Sequence, residues 1–156
     1  MPNTLMMTEE LYLYDEKASN AAIHTYQQKT GSILFTAITT RPDVAFAASR
    51  LARFNMNPSN IHHKAADQTI QYLYRMKEKV LRYGGDNNEA HSFIYASDTL
   101  FADNTLDRKS SQGYIMLLFG GAITWKANKQ NIVIMLSTEA ELLALSQTAK
   151  EAIFTS

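Results

Sequence analysis

The sequence predicts an α+β protein, a helical first half followed by a three-stranded antiparallel sheet with one covering helix. Two changes of pattern carry that reading. As far as Met76 the apolar residues recur at three- and four-residue steps, the period of a half-buried helix. Beyond Val80 they gather into the short runs SFIYAS, GYIMLLF and AITWKA, whose β-branched and aromatic content favours strands. A helical pattern then returns after Ser137. With 156 residues, 46% of them hydrophobic, the chain has about one domain's length on the usual scale of roughly 100–200 residues.

Residues 1–18 read as a flexible N-terminal segment, and residues 19–85 as the helical part. Ser19 is placed to cap a first helix whose inward residues are Ile23, Tyr26, Ile33, Leu34 and Ala37, with Gly31 as a weak point. Arg41-Pro42-Asp43 opens a second helix, with proline early and an acid in the first turn. Val44, Ala47, Ala48, Leu51 and Phe54 form its buried stripe. Asn57-Pro58-Ser59-Asn60 ends that helix and starts a third, with Ile61, Ala65, Tyr72, Leu73 and Met76 inward. The alternating run VLRY ends at Gly84-Gly85. Polar residues 86–91 read as a linker to a second domain, 92–156. There, Gly120-Gly121 joins two strands as a hairpin. Thr138 and Glu141 have capping-box spacing, and Leu142, Leu145, Ala149 and Ile153 form the core stripe of the last helix.

Composition excludes several classes. Without cysteine there is no disulfide scaffold, thiolate metal site or cysteine nucleophile, which fits a reducing compartment. The first sixteen residues hold four acids and no base, so no positively charged leader is read. The greasy stretch Ile115–Trp125 is too short for a spanning helix, which needs about 18 apolar residues. The expectation is an intracellular protein, cytoplasmic or nuclear, with no membrane partner. Net charge is zero, yet Arg41 to Arg82 holds eight bases against three acids. That surplus reads either as solvated helix surface or as a phosphate-binding face.

Asp98 follows the first strand, and Glu141 lies in the first turn of the last helix. If the helix crosses the sheet there, two hard carboxylates converge as Mg²⁺ ligands. The plainer alternative is a turn residue and a helix cap. His62-His63 makes a poor chelate, because neighbours on a helix point about 100° apart. A surface or capping role is expected for them.

Tyr95-Ala96-Ser97-Asp98, Asp107 to Tyr114, Trp125, Asn128-Lys129-Gln130 and Ser137-Thr138-Glu139-Ala140-Glu141 resemble the ribonuclease H region of copia-type LTR retrotransposon Pol polyproteins. Upstream, Thr40-Arg41-Pro42-Asp43-Val44, Ser49 to Phe54, Asn57-Pro58, His62 and Tyr72-Leu73 resemble the segment after the reverse transcriptase palm, a thumb or connection-like region. The resemblance runs from about Thr25 to Ile153. It implies a truncated ribonuclease H-like unit whose family cleaves RNA in RNA–DNA hybrids with two Mg²⁺ ions. Asp98 and Glu141 match the first two of the family's four carboxylates, as catalytic and metal-binding residues. Glu139 is given a surface or capping role.

The family's remaining two acids lie beyond the last helix, so the expected carboxylate set is incomplete and the isolated chain is expected to be inactive. Arg41, Arg50, Arg53, Lys64, Arg75 and Lys129 are the candidate nucleic-acid contacts. The open sheet invites self-association. The alternative is a non-catalytic, co-opted remnant acting as a nucleic-acid or protein binding module.

Overall fold

A computed structural model describes residues 11–84, 94–100 and 111–129, and positions 141, 142, 145, 146, 148–150 and 153. The chain divides into two compact units, Met1–Val80 and Leu81–Ser156. The linker assigned to residues 86–91 lies outside the described residues. Helices precede an antiparallel sheet, as the α+β reading requires.

The first unit contains α1 (Asn20–Thr39), a single 3₁₀ turn at Pro42–Val44, α2 (Ala45–Ala52) and α3 (Asn60–Arg75). Ser19 caps α1, its Oγ accepting from the Ala22 N–H at 3.2 Å. The helix runs unbroken through Gly31, whose cost of about 1 kcal/mol against alanine is offset by the burial of Tyr26, Ile33 and Ala37 on either side. The stripe expected on the second helix is buried throughout, from Val44 to Phe54. These residues meet Ala65 and Ala66 of α3, and Leu11 joins them from the preceding segment. Tyr26 is completely buried and donates its hydroxyl to the Leu51 carbonyl at 2.9 Å. Burial pushes its pKa well up.

α3 is rotated from its expected phase. Ile61 is 49% exposed, whereas His62, Ala65, Ala66 and Thr69 are buried. Of the residues expected inward, only Ala65 is fully so, while Tyr72 and Leu73 are partly buried against the core. The reason is that His62 fills the inward slot. Its ring stacks on Phe54, with centroids 3.9 Å apart and planes 16° apart. Periodicity assigns such slots to aliphatic residues and misses a histidine whose nitrogens both find partners.

The second unit holds a sheet of β1 (Ile94–Leu100), β2 (Ser111–Leu118) and β3 (Gly121–Lys129), in that order and antiparallel throughout. The β2–β3 turn is Phe119-Gly120, one residue earlier than read from the glycine pair. Both have positive φ, 53° and 74°, the sense a tight hairpin turn demands. Gly121 instead begins β3, where a side chain would strike the Arg82 carbonyl and the Tyr83 ring. A bulge separates Met116 from Leu117. Residues 80–83 form no strand despite their alternation.

Positions 141, 142, 145, 146, 148–150 and 153 are helical. Leu142, Leu145 and Ile153, expected in the core, are exposed at 66%, 56% and 77%, and Ala149 is exposed too. Among the described helical positions, Thr148 is the buried one. Helical spacing shows that these residues share a face. It does not supply the second surface that burial requires.

Candidate functional site

Asp98 lies within β1 rather than after it, directly opposite Gly113, which in turn faces Ala127 on β3. Residues directly opposite in an antiparallel sheet project from the same face. Asp98 is exposed, and the two positions beside it carry no side chain or only a methyl. A Cβ at Gly113 would lie 3.3 Å from the Lys126 carbonyl oxygen, so a larger residue would have to displace backbone. The next row on this face holds Ser111 and Lys129. The sheet thus places Asp98 and Lys129 on one face, one row apart, about 7 Å along the strands and two strands, about 10 Å, across. Trp125 shares that face on the other side, in the row with Ala96 and Ile115.

Glu141 is exposed and helical. Glu139, Asp103 and Asp107 lie outside the described residues, as does the Thr138 half of the expected cap. Among the described residues, no group of three or more His, Asp or Glu could hold a metal ion. Asp98 and Glu141 offer the hard oxygen donors that Mg²⁺ prefers. Two carboxylates on separate elements do not fit a two-metal centre, which needs ligands around both ions. No hydrolytic step follows from them alone.

In the helical unit, the basic residues divide. Arg41 is turned inward, only 6% exposed. Its Nε and Nη2 donate to the Asp43 carboxylate at 2.9 and 2.8 Å, and Nη1 donates to the Met76 carbonyl at 3.0 Å. Tyr72 lies under the guanidinium, 5.6 Å from its ring centroid, and donates its hydroxyl to Asp43. Lys79 reaches the same hydroxyl. The hydrogen bond from Arg41 holds the Asp43 carboxyl below its ordinary range, and that to Asp43 raises Arg41. Arg41 therefore clamps the start of α2 to the end of α3, and its donors are spent there rather than on a phosphate.

Arg50 and Arg53 are half-buried, and Lys64 and Arg75 are exposed. Sequence reasoning counted Lys77 and Lys79 in the basic surplus without marking them as contacts. Lys77 lies over the exposed Tyr74 ring, 5.8 Å from its centroid. The available signal was an aromatic residue three positions before a lysine at a helix end.

A third cluster joins residues 11–18 to the helices. Asn57 Nδ2 donates to the carbonyls of Tyr14 and Glu16 at 2.8 and 2.9 Å, and its Oδ1 accepts from the Ala18 N–H at 2.8 Å. His62 caps α3 by accepting the Ser59 N–H at Nδ1, 2.8 Å away. Its Nε2 meets the Tyr12 carbonyl at 2.9 Å. The capping role expected for His62 is realised, in the interior rather than on the surface. Burial lowers its pKa, and the charge of His63 adds to that. A cavity of about 290 Å³ lies beside this cap, between Tyr12–Tyr14 and Ser59–His62.

No protein-family model matches the chain, and no solved structure does. Among curated proteins it is 34% identical over 139 residues to the retrovirus-related Pol polyprotein from transposon TNT 1-94 of Nicotiana tabacum, covering 89% of this chain and 10% of that one. It is 32% identical over 127 residues to the Pol polyprotein from transposon RE2 of Arabidopsis thaliana, 81% of this chain and 8% of the other. The chain thus spans about a tenth of these polyproteins. A third relative, secreted RxLR effector protein 161 of Plasmopara viticola, is 32% identical over 131 residues, 83% of this chain and 89% of its own length. Among the described residues, no helix is long and apolar enough to cross a membrane. The likeness to the transposon proteins spans both units, and the chain is related to a segment of the retrovirus-related transposon Pol polyproteins.

Proposed function

We propose that this chain is the connection and ribonuclease H part of a copia-type Pol polyprotein and that it binds RNA–DNA hybrid inside the cell. The supporting observation is the row Asp98–Gly113–Ala127, with Lys129 one row away on the same face. A carboxylate beside a small-residue floor would leave room for a cation, and a lysine two strands across on the same face suits a phosphate of the ligand. Asp98 and Glu141 would each offer carboxylate oxygens to Mg²⁺; the pair by itself does not make a two-metal hydrolytic centre. Arg50, Arg53, Lys64 and Arg75 add phosphate contacts from the helical unit.

The test is anisotropy of a labelled hybrid with the full chain, with and without Mg²⁺. Binding should weaken steeply as salt rises, each neutralised phosphate adding about 0.7–0.9 to the slope. Asp98→Asn should remove the Mg²⁺-dependent part of binding, without any turnover in the parent chain. Absence of binding at low salt sinks the proposal.

A second reading is a non-catalytic binding module that recognises nucleic acid, a protein or a second copy of itself. It rests on the effector-named relative, which is matched over 89% of its length and is not itself a polyprotein by name. Sedimentation of the full chain separates these: a self-associated species that ignores hybrid supports the module.

A further inference from the structure

Residues 11–18 form a strap held to the helical unit by two clasps of different chemistry. Asn57 grips Tyr14, Glu16 and Ala18 through its amide, a group that does not titrate. His62 grips the other end at Tyr12. The Ser59 N–H donates into Nδ1, so that nitrogen presents its lone pair and the ring proton sits on Nε2. Nε2–H therefore donates to the Tyr12 carbonyl, and the geometry fixes the neutral tautomer. Ser59 Oγ lies 3.0 Å from the same Nδ1. The residue is 1% exposed and stacked on Phe54, surroundings with little to solvate a cation.

We propose that His62 is a pH-operated latch: a proton on Nδ1 sets N–H against the Ser59 N–H, breaks the cap of α3 and releases the Leu11–Leu13 end of the strap. The Asn57 clasp keeps the Tyr14–Ala18 end in place. Release withdraws Leu11 from the core and opens the cavity beside the cap.

The groups around His62 favour this direction. α1 contributes the Tyr26 ring, 6.4 Å away centroid to centroid, and α3 contributes His63. The turn after α2 contributes Phe54, with half-buried Arg53 next to it. On the strap are Tyr12 and Tyr14, while Asp15, Glu16 and Lys17 are exposed. Burial first, and then the charge of His63, oppose a proton on His62; the hydrogen bond to Tyr12 acts the other way. A histidine with a lowered folded pKa contributes stability above its ordinary value of about 6.5, and that contribution is lost as pH falls below it. The latch is shut at neutral pH and opens in acid.

Hydrogen exchange of the full chain, expressed as protection factors, tests this between about pH 7.5 and 5, across the ordinary histidine range. In the parent protein, the Ser59 amide, which donates to Nδ1, and the His63 amide, which donates to the Ser59 carbonyl in the first turn of α3, should lose roughly tenfold protection, the equivalent of one pKa unit. The Ala18 amide, which donates to Asn57 Oδ1, should hold. His62→Gln keeps a capping-box residue at that position without a titrating group, and should abolish the response; His63→Gln should retain it. An unchanged response in His62→Gln, or none in the parent, overturns the latch. Should His62→Gln fail to fold, NMR titration of the parent imidazole decides. A bare Nδ1 at neutral pH, with strap shifts that follow His62 protonation, supports the latch. An Nδ1–H at neutral pH, or a titration that leaves the strap unmoved, overturns it.

Discussion

In the helical unit, polar side chains fasten one element to another. Arg41 joins the start of α2 to the end of α3, Tyr26 joins α1 to the end of α2, and Asn57 and His62 hold the strap. In the sheet unit, the strands are joined by their own backbone ladders, and apolar residues such as Ile94, Leu142 and Leu145 stand exposed. A helix satisfies most of its backbone internally, so cohesion between helices has to come from side chains. A sheet obtains it from the main chain and leaves its side-chain faces available for other uses. The first unit thus ties its elements together through polar side chains, whereas in the second a carboxylate and a lysine fall on one sheet face by strand register.

That contrast can be broken experimentally, because Trp125 is the chain's single tryptophan and reports the sheet unit, whereas helical circular dichroism reports mainly the first. The largest effect is expected from Leu51→Ala. It empties a fully buried site and should cost about 2–5 kcal/mol, moving the dichroism midpoint in urea and leaving the tryptophan midpoint in place. Midpoints that move together would show one cooperative unit. Gly121→Val should do the reverse. Its side chain meets Arg82 and Tyr83, and overpacking of this kind costs about 1–3 kcal/mol, read from Trp125.

A smaller effect is expected from Asp43→Asn. The carboxyl is partly exposed, so solvent screening limits the loss to about 1 kcal/mol or less. Its pKa is depressed by Arg41, so the parent keeps this stabilisation above the ordinary aspartate value of about 3.9 and loses it as pH falls toward the folded value. Acid titration of the variant should show a shallower loss. The smallest effect belongs to Leu142→Ser with Leu145→Ser, exposed in the structure, which should stay within about 0.5 kcal/mol. A drop of several kcal/mol would mean that the stripe is covered in solution.

Much of the fold was legible because backbone punctuation is local. Ser19, Pro42 and Pro58 announce helix ends through their own geometry, and the three strand runs announce themselves by composition. What escaped were decisions made by distant partners. Ile61 yields its inward place to His62 because Phe54 offers a ring to stack on. The hairpin turns at Phe119 because Gly121 is needed where Tyr83 passes. Of the candidate contacts, Asp98 and Lys129 could be named from sequence, but their shared face depends on the register of three strands. Arg41 looked like a surface base until Asp43, Tyr72 and the end of α3 closed around it.

The hairpin also shows where the chain could be divided in two. Gly84 donates its N–H to the Phe119 carbonyl at 2.8 Å, and the Tyr83 hydroxyl donates to the Ala122 carbonyl at 2.7 Å. Residues 82–84 therefore act as a splint along the turn of the β2–β3 hairpin. A cut through the polar residues 86–91 would carry that splint away with the helices and leave the turn with unanswered carbonyls. A cut just before Leu81 would keep it, and an expressed sheet unit beginning there should be the longer-lived of the two against protease.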